Sequence, residues 1–533
     1  MTLLSFVAAT GAGDVHRWTS TVASLQGQTR VDWQLVLAGP TVTPIGDDPR
    51  VVVVPATADA VASTGLARAE GEHVAFIDAG DALAPNAVAA VASAAGDADC
   101  VYSDEDEIDG DGGRSNPFLK PGWSPDRLRC QPYTGRLCAL RRSAVEAVGG
   151  LRPAAAGAGE HDLVLRVTER GGPVAHIAEV LYHRRLPPGG VAGRHADTEA
   201  GRRVIAEHLE RVGFPATVEV DGEQPGLYRL QPRLPAEPFV SIVIPTAGRS
   251  RQVKGAPLTL VVNCVESIVK RSTHRNYEIV CVIGDDADTT TREHLHDLGA
   301  GRLRFVPYRG AFNFARAINI GAMHAHGDHL LLLNDDTQVI TADWMESLLM
   351  FAADPGVGAV GAKLLFADRR IQHAGIIAVG RGGPGHACYG FPGGDAGYAD
   401  NFLVASDYLA VTGACMLTKR DCFEAVGGFA TGFPLNYNDV DYCLKLRHRG
   451  LRVVFSPEAR LFHFEWSSRV SGEVASSELE RLNERWGSVL ERDPFYNRGF
   501  LPSTDFRPPI TTVAAARRAD ASPSLRAAAT ALP

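Results

Sequence analysis

Two stretches of this chain, far apart in sequence, repeat each other at equal spacing. The interval from Gly135 to Gly149 equals that from Gly413 to Gly427, and the later glycines lie in nearly identical segments, EAVGGL and EAVGGF. A short helical segment with acidic residues at its start follows each, and then a strand that ends in a histidine. Repetition over this length predicts two copies of one domain.

Each copy shows the residue pattern of an α/β fold. Runs such as WQLVLAG, RVVVVPA and HVAFIDAG alternate with Ala-rich helical stretches, and the alternation restarts at Val240 with VSIVIP. This order predicts βα units on mostly parallel central sheets. Because a proline-rich connector, QPRLPAEP, lies between the copies, we predict domains over residues 1–234 and 235–510. The Ala-, Pro- and Arg-rich remainder, 511–533, is predicted to be a disordered tail.

The bulk composition excludes several classes of protein. The 53 Lys and Arg are outnumbered by 62 Asp and Glu, and the net charge of −9 argues against a nucleic-acid-binding protein with a broad basic face. The nine cysteines include no C-x-x-C pair, so neither a disulfide framework nor a thiolate zinc site is indicated. No apolar run approaches the ~18 residues of a membrane-spanning helix. We therefore expect a cytoplasmic protein in a reducing compartment.

An acidic strand end in the second copy suits the binding of a metal ion. The strand HLLLLNDD brings Asn334, Asp335 and Asp336 to its C-terminal end, the edge at which open parallel sheets bind ligands. Carboxylates at that edge can hold Mg²⁺ or Mn²⁺ on a diphosphate. The alternative is an ordinary turn or helix cap, because Asn and Asp are common turn residues.

A second acidic segment and a histidine strengthen the case for a functional site. Asp439 and Asp441 begin a helix, and His463 ends the strand after it. A neutral imidazole could join Asp336 on the metal and favours Mn²⁺ over Mg²⁺. Taken singly, the acids are explained by compensation of the helix dipole, about 0.3–1 kcal/mol each, and the histidine by burial in a core. The combination of these acids with a strand-terminal histidine favours a functional site over a purely structural role.

Several longer segments carry a specific resemblance. In the second copy they include FNFARAINIGA, LLLLNDDTQVITADWMESLL, VTGACMLTKRDCFEAVGGF, FPLNYNDVDYCLKLRHRG and LFHFEWSSR, and in the first YSDEDEID and NPFLKPGWSPDRL. Together they resemble the family-2 glycosyltransferases of GT-A fold, in particular the tandem bacterial proteins of O-antigen, rhamnan or galactan assembly. The resemblance implies two tandem GT-A domains. It also implies inverting transfer of a sugar from a nucleotide-diphosphate donor to a growing cell-surface glycan or lipid-linked acceptor, with Mn²⁺ or Mg²⁺ as cofactor.

The resemblance implies roles for individual residues. Asp336 would bind the metal on the donor diphosphate, His463 would be a further metal contact, and Asp439 would take the proton from the acceptor hydroxyl. Aspartate is ordinarily ionised near pH 7, and a general base contributes typically ~10²–10⁴ in rate. The implied donor contacts are Thr246, Asn334, Asp335 and one of Asp285 or Asp286. The implied acceptor or cleft contacts are Asp441, Gln372, His373 and Trp466, with Ser467 and Ser468 beside it.

The first copy departs from this pattern. Its acidic strand end is Asp78-Ala79-Gly80-Asp81, which places Gly80 where the second copy has Asp336. Because glycine offers no ligand, we expect this domain to be catalytically weak or silent and to bind acceptor, lipid-linked glycan or the sister domain. The YSDEDEID run is interpreted either as an extra cation site or as a solvated acidic loop. The acids and histidine that would form a shifted metal site are Asp78, Asp81, Glu160, Asp162 and His183.

Two other functions stay open from the sequence. A sugar nucleotidyltransferase would need a Gly-rich phosphate loop, and the segment TAGRSRQVKG is only weakly similar to one. A non-catalytic glycan-binding or scaffold protein would have lost the acids in both copies, whereas the second copy keeps them. Glycosyl transfer is therefore favoured. The resemblance alone favours a deoxyhexose or galactofuranose donor, since fold and motif do not select the sugar. It leaves open a peripheral contact with the inner face of the plasma membrane.

Overall fold

The computed structural model describes residues 3–10, 15–40, 45–57, 60–186, 198–253, 256–285, 287–379, 383–464 and 476–509. The predicted tail, 511–533, lies outside these residues. In the described part of the chain, no helix is both long enough and apolar enough to cross a membrane. The part up to residue 234 is called the first half below, and the part from residue 235 the second half.

The first half alternates strands with helices. Its strands are β1 (Leu4–Ala9), β2 (Trp33–Gly39), β3 (Val51–Pro55), β4 (His73–Phe76), β5 (Ala82–Leu83), β6 (Cys100–Ile108), β7 (Arg114–Phe118), β8 (Cys138–Arg141), β9 (Val174–Arg185), β10 (Ala216–Val220) and β11 (Tyr228–Pro232). Its α-helices are α1 (Val15–Gln26), α2 (Val61–Arg68), α3 (Ala87–Ala95), α4 (Pro125–Cys130), α5 (Arg142–Ala147), α6 (Gly159–Thr168) and α7 (Thr198–Val212).

The second half follows the same alternation. Its strands are β12 (Val240–Thr246), β13 (Ser250–Val253), β14 (Ala256–Thr259), β15 (Tyr277–Gly284), β16 (Leu303–Tyr308), β17 (His329–Leu333), β18 (Thr337–Val339), β19 (Val357–Leu365), β20 (Ile371–His373), β21 (Ile376–Ala378), β22 (Pro384–His386), β23 (Ser406–Asp407), β24 (Cys415–Lys419) and β25 (Arg452–His463). Its α-helices are α8 (Leu260–Arg271), α9 (Thr289–Gly299), α10 (Phe314–His324), α11 (Trp344–Ala352), α12 (Arg420–Ala425), α13 (Asn438–His448) and α14 (Ser476–Leu490).

Two large sheets dominate the fold and share one strand order. The first runs β3-β2-β1-β4-β8-β6-β9-β5, with β7 paired to β6, and the second runs β16-β15-β12-β17-β24-β19-β25-β18, with β20 paired to β19 and β23 to β25. The first four strands in each order are parallel. The inner strands β2 and β12 are buried at every residue, as expected for mainly apolar strands inside a parallel sheet. The predicted α/β class with parallel central strands is confirmed.

The two halves also repeat a contact between single residues. Ser5 in β1 accepts the backbone N–H of Gly71 at 2.8 Å, and Ser241 in β12 accepts that of Gly327 at 2.7 Å. A Cβ on Gly71 would lie 2.6 Å from the nitrogen of Ser5, and one on Gly327 would lie 2.5 Å from the carbonyl oxygen of Phe239. Only glycine fits at either position. The bounds of the two predicted domains stay a prediction.

Buried polar contacts join the halves. The Ser124 hydroxyl donates to Asp407 at 2.6 Å, and the Asn497 amide, beyond α14, donates to Asp104 at 2.8 Å. One hydrophobic cluster includes side chains of both halves. Because buried polar groups need partners, these pairs restrict how the halves can pack.

The acidic run YSDEDEID is a buried strand, β6. Residues 104–107 in it are at most 8% exposed, so the expectation of a solvated acidic loop is wrong. The extra cation site is not supported either, because no group of three or more His, Cys, Asp or Glu in the described residues could hold a metal ion. Each carboxylate instead has a polar partner: His176 for Asp104, Lys120 for Glu105, His183 for Asp106 and Asn116 for Glu107.

Candidate functional site

A cleft of about 1290 Å³ opens at the C-terminal ends of β12, β15 and β17. The loops after parallel strands meet at this edge of the sheet, which is where open α/β folds bind ligands. The cleft brings together eight of the residues singled out from the sequence: Thr246, Asp285, Asn334, Asp335, Asp336, Gln372, Asp439 and His463.

His463 lies beside the acidic end of β17 because β18 pairs with β25. Its Nε2 is 3.1 Å from Asp336 Oδ1 and 3.3 Å from the side-chain nitrogen of Asn334. Its Nδ1 is 3.1 Å from Gln372 Oε1. Since an amide oxygen only accepts hydrogen bonds, Nδ1 carries a proton, and Nε2 is the ring nitrogen that faces the Asp336 carboxylate. Histidines that bind metals are oriented in this way, with the other ring nitrogen donating to an oxygen.

The donor atoms at this point fit a divalent cation held together with a diphosphate. Asp336 and His463 are 3% and 6% exposed and supply one carboxylate and one imidazole, a set that suits Mn²⁺. Two side-chain donors do not make a complete protein cage. Mg²⁺ and Mn²⁺ at phosphate-transfer sites commonly take one or two carboxylates and complete their shell with substrate phosphates and water. The residues present are therefore sufficient for a metal that arrives with its nucleotide.

Asp335 turns away from this pair towards β12. Its Oδ2 accepts the hydroxyl hydrogen of Thr246 at 2.6 Å, and the Thr246 hydroxyl accepts the backbone N–H of Gly248 at 2.9 Å. Burial, together with the negative charge of Asp336, raises the pKa of Asp335 well above its usual range. Two adjacent buried carboxyls resist simultaneous ionisation, and a cation beside them would relieve that repulsion.

Asp439 faces the cleft from the first turn of α13. Its Oδ2 accepts the backbone N–H of Gly413 at 2.9 Å, and its Oδ1 accepts that of Val440 at 2.8 Å. Tyr437, just before the helix, has a φ of 57°, which turns the chain sharply into it. The positive end of the helix dipole favours an anion at this position. The local sequence therefore holds a carboxylate at the cleft wall.

Asp441 does not line the cleft, so its predicted contact with the acceptor is wrong. It is fully buried, and its carboxylate accepts the Trp486 Nε1–H at 2.9 Å. It also pairs with Arg485 at 3.1 Å and Lys445 at 3.8 Å. Residues two apart on a helix point to different sides, and Asp439 takes the side that faces the cleft.

The first half repeats this buried pair. Asp162 in α6 is fully buried and contacts Arg166, four residues later, at 2.7 Å. The same spacing separates Asp441 from Lys445 in α13. The two bases then donate to matching loop carbonyls, Arg166 to Val148 and Gly150, and Lys445 to Val426 and Gly428. The second acid of each helix start therefore anchors a loop.

His373 does not line the cleft, so its predicted position there is wrong. Its neighbour His386 lines the cleft. The Nε2 of His373 accepts the backbone N–H groups of Gly375 at 3.3 Å and Thr412 at 3.4 Å. Its Nδ1 lies 2.8 Å from His386 Nδ1, and burial lowers the pKa of His373 well below its usual range. The proton of neutral His373 therefore sits on Nδ1 and is donated to His386. His386 in turn keeps its own proton on Nε2.

His386 was not singled out from the sequence. It stands beside His373 because β21 and β22 form a hairpin. The segment PGHACYG around it has no pattern that indicates chemistry, so only the pairing of two histidines across a glycine-containing stretch could have pointed to it. Four further residues from the predicted set, Asp286, Trp466, Ser467 and Ser468, lie outside the described residues.

Comparison with known proteins settles the class of the second half. Residues 235–488 match the family described as glycosyltransferase-like family 2. The second half, which contains this match, is called the glycosyltransferase domain below. The chain is 33% identical over 538 residues to an uncharacterized protein, y4gI, of Sinorhizobium fredii, covering 95% of this chain and 58% of that protein. It is 33% identical over 500 residues to the O-antigen biosynthesis protein RfbC of Myxococcus xanthus, and this match covers 89% of this chain and 38% of RfbC. The chain thus spans less than two thirds of either relative.

Solved structures show a partial likeness to the chain. The mannosyltransferase PcManGT from Pyrobaculum calidifontis, in complex with GDP-Man and Mn²⁺, is 17% identical over 48% of this chain and 65% of its own, with a TM-score of 0.33. GalNAc-T7 with UDP, GalNAc and Mn²⁺ is 16% identical over 51% of this chain and 52% of its own, with a TM-score of 0.39. TarS of S. aureus in complex with UDP is 13% identical over 39% of this chain and 65% of its own, with a TM-score of 0.29.

The first half lacks the arrangement of the glycosyltransferase domain, because an arginine joins two of its acids. Arg136 contacts Asp78 at 2.6 Å and forms an ion pair with Glu160. Since Gly135 corresponds to Gly413, Arg136 stands where the glycosyltransferase domain has an alanine. The carboxylates of Asp78 and Glu160 are thereby compensated within the protein.

The other counterparts in the first half are held by neighbours. The Tyr182 hydroxyl donates to Asp81 at 2.6 Å, and the His183 ring contacts Asp106 at 2.6 Å. Gly80 has a φ of 96°, and a Cβ there would lie 3.3 Å from the Arg185 side chain. Side chains other than glycine are strained at such a φ. The position that corresponds to Asp336 of the second half is thus shaped for glycine.

Proposed function

We propose that the chain transfers a glycosyl group from a nucleotide-diphosphate sugar to a carbohydrate acceptor of the bacterial cell surface. The observation that carries the proposal is the presence, in one cleft, of the Asp336 and His463 pair and the Asp439 carboxylate. The family of the second half and the O-antigen name of one relative support it. A nucleotide-sugar donor would place the reaction in the cytoplasm, at the inner membrane face where the acceptor is lipid-linked.

Asp336 and His463 are assigned to a divalent cation, Mn²⁺ or Mg²⁺. When bound, such an ion neutralises a diphosphate and stabilises the charge that develops on the leaving group. Gln372 keeps the His463 ring in the tautomer that this role requires. Thr246 and Asp285 end β12 and β15 at the same cleft, and we assign them to the nucleoside.

Asp439 is assigned as the general base. The acceptor hydroxyl gives its proton to the Asp439 carboxylate while its oxygen forms the new bond to C1 of the donor sugar. The bond between C1 and the diphosphate oxygen breaks, and its electron pair leaves with the nucleoside diphosphate. One displacement inverts the configuration at C1. A positioned base contributes about 10²–10⁴ to the rate of such a step.

His386 is assigned as a hydrogen-bond donor to substrate. His386 lines the cleft, and its Nδ1 lies 2.8 Å from Nδ1 of His373. A fixed N–H suits a phosphate oxygen or a sugar hydroxyl.

Catalysis is assigned to the second half alone. In the first half Gly80 provides no ligand, and Arg136 forms an ion pair with Glu160, which corresponds to Asp439. We therefore propose that the first half binds and does not transfer.

The test is release of nucleotide from UDP-, dTDP- and GDP-sugars with Mn²⁺ or Mg²⁺ in the presence of acceptor glycans. Wild type is compared with Asp336→Ala and with Asp343→Ala, an aspartate before α11 that does not line the cleft. We expect metal-dependent release with one donor, lost in Asp336→Ala and kept in Asp343→Ala. Absence of release from every donor would favour the non-catalytic glycan-binding protein.

A further inference from the structure

We propose that the first half contains a second saccharide-binding site, which takes a neutral part of the acceptor glycan and no nucleotide. The identity of the glycan as acceptor rests on the proposed function, whereas the site itself does not. The site is a cavity of about 600 Å³ beside β6 and α6. Cavities of roughly 300–1,000 Å³ are typical of small-ligand sites.

The cavity is the first-half counterpart of the catalytic cleft. Gly135 lines it as Gly413 lines the cleft. Glu160 is the second residue of α6, and Asp439 is the second residue of α13. Asp400, which belongs to the second half, also lines the cavity, so it opens where the two halves meet. A glycan bound there would lie against both halves.

The charges in the cavity disfavour a nucleotide diphosphate. A diphosphate needs a cation whose charge is not already used, supplied by a metal or by basic side chains. The Arg136 guanidinium is shared between Asp78 and Glu160, and Glu105 is paired with Lys120 at 3.1 Å. Arg152 also lines the cavity and pairs with Asp162 and Glu207, so Arg136 and Arg152 are both compensated within the protein.

The same surface suits a sugar. The side chain of Glu160, which lines the cavity, is 41% exposed, so its oxygens remain accessible to hydroxyl groups. Phe76, Leu151 and Pro153 line the cavity with carbon. Sugars have hydroxyl edges and C–H faces, and a wall that combines hydrogen-bonding pairs with carbon surface matches both. A polyprenyl chain would instead cover the partly exposed Glu160 carboxylate and remove it from water, at a cost in free energy.

Two substitutions in one short segment test the site in the full-length protein. Ala156 is exposed and lines the cavity, so Ala156→Trp would fill it without removing a buried contact. Ala154 is exposed in the same segment and does not line the cavity, so Ala154→Trp is the matched control. Binding of neutral disaccharides of hexoses and 6-deoxyhexoses is measured by saturation-transfer NMR and calorimetry, without any donor.

We expect one class of disaccharide to bind wild type, Ala154→Trp and Asp439→Asn alike, and to bind Ala156→Trp at least about tenfold more weakly because the cavity is filled. Absence of binding, or equal binding to Ala156→Trp, overturns the proposal. Displacement of the disaccharide by UDP in Asp336→Ala would make the cavity a nucleotide site and also overturns it. Displacement by a polyprenyl phosphate in detergent micelles, with the displacement lost in Ala156→Trp, would make it a lipid site and has the same consequence. The experiment measures binding and no turnover. Its result can therefore be interpreted even if the proposed transfer reaction is wrong.

Discussion

The Nε2 of His463 lies 3.1 Å from Oδ1 of Asp336, at the point where β25 brings its last residue beside the end of β17. Gln372 accepts from Nδ1 of the same ring, so Nε2 is the nitrogen that faces the carboxylate. A charged imidazole would donate Nε2–H to Asp336, and a neutral one would leave two acceptors that a cation could bridge. The proposed cation site requires the neutral ring.

Gln372→Leu should weaken metal binding without touching a ligand. Loss of the Gln372 oxygen frees the His463 ring to change tautomer, and removal of such an outer contact typically costs about 10–100-fold in metal affinity. The measurement is Mn²⁺ binding by electron paramagnetic resonance with UDP or GDP present. Gln372→Glu, which keeps an acceptor, should retain most of the affinity.

The control for this prediction is Gln338→Leu in β18. Gln338 bonds to Asn263 at 3.1 Å and does not line the cleft. An equal loss of Mn²⁺ affinity in both leucine variants would mean that Gln372 acts only through stability.

Asp439→Asn should separate binding from turnover. The amide cannot take the acceptor proton, so we expect kcat to fall by about 10²–10⁴ while the Kd for nucleotide and Mn²⁺ changes little. Nucleotide release under saturating donor gives kcat, and calorimetry gives the Kd. Turnover close to that of wild type would remove Asp439 from the role of base.

The sequence predicted those residues whose position follows from a single element. Asp336 follows a buried apolar strand and Asp439 starts a helix, so both could be placed at the cleft from local pattern. Asp441 was placed there wrongly, although helical geometry puts residues two apart on different sides. The buried acids of β6 were misjudged because their partners, such as Lys120 and His176, come from other parts of the sheet. Long-range pairing of this kind leaves no periodic signal.

His386→Phe should impair binding of one substrate and also lower stability, because buried His373 loses the partner of its Nδ1. Phenylalanine keeps an aromatic ring at the half-buried position but removes the polar ring atoms of a residue that lines the cleft. Loss of one hydrogen bond to a charged or polar substrate costs about 1.5–3 kcal/mol, or roughly 10–100-fold in KM. Steady-state kinetics with donor and acceptor varied in turn would show which substrate is held. Unchanged KM for both would exclude the contact.

Asp441→Asn should affect stability rather than catalysis. The wild-type carboxylate is fully buried against Arg485, Lys445 and Trp486. Removing one partner of a buried ion pair costs up to about 3–5 kcal/mol, and here the cost comes mainly from Lys445, which stays largely buried, since Arg485 is 46% exposed. We expect a clear fall in the midpoint of thermal unfolding, with kcat per folded molecule near that of wild type. A loss of kcat at unchanged stability would mean that Asp441 takes part in the reaction or in substrate binding.

Asp493 should make stability depend on pH in a defined window. Its carboxylate is buried beyond α14, where it accepts the backbone N–H groups of Ala378 at 2.9 Å and Phe495 at 2.8 Å. Burial outweighs these hydrogen bonds and raises the pKa of Asp493 to about 6. In the unfolded chain the pKa of an aspartate is about 3.9, so the folded state binds the proton more tightly. The stabilisation by this proton is complete below about pH 4 and is lost as the pH rises through about 6.

Asp493→Asn removes this titration, and the comparison of the two proteins isolates it. Any cost of placing an amide against the two N–H donors is the same at every pH. The free energy of unfolding of the variant relative to wild type should therefore rise by about 2–3 kcal/mol between pH 4 and pH 7. Urea unfolding at several pH values gives the difference, with Glu491→Gln as an exposed neighbouring control. A difference that stays flat across this range would mean that the Asp493 carboxyl ionises in the folded protein as it does in the unfolded chain.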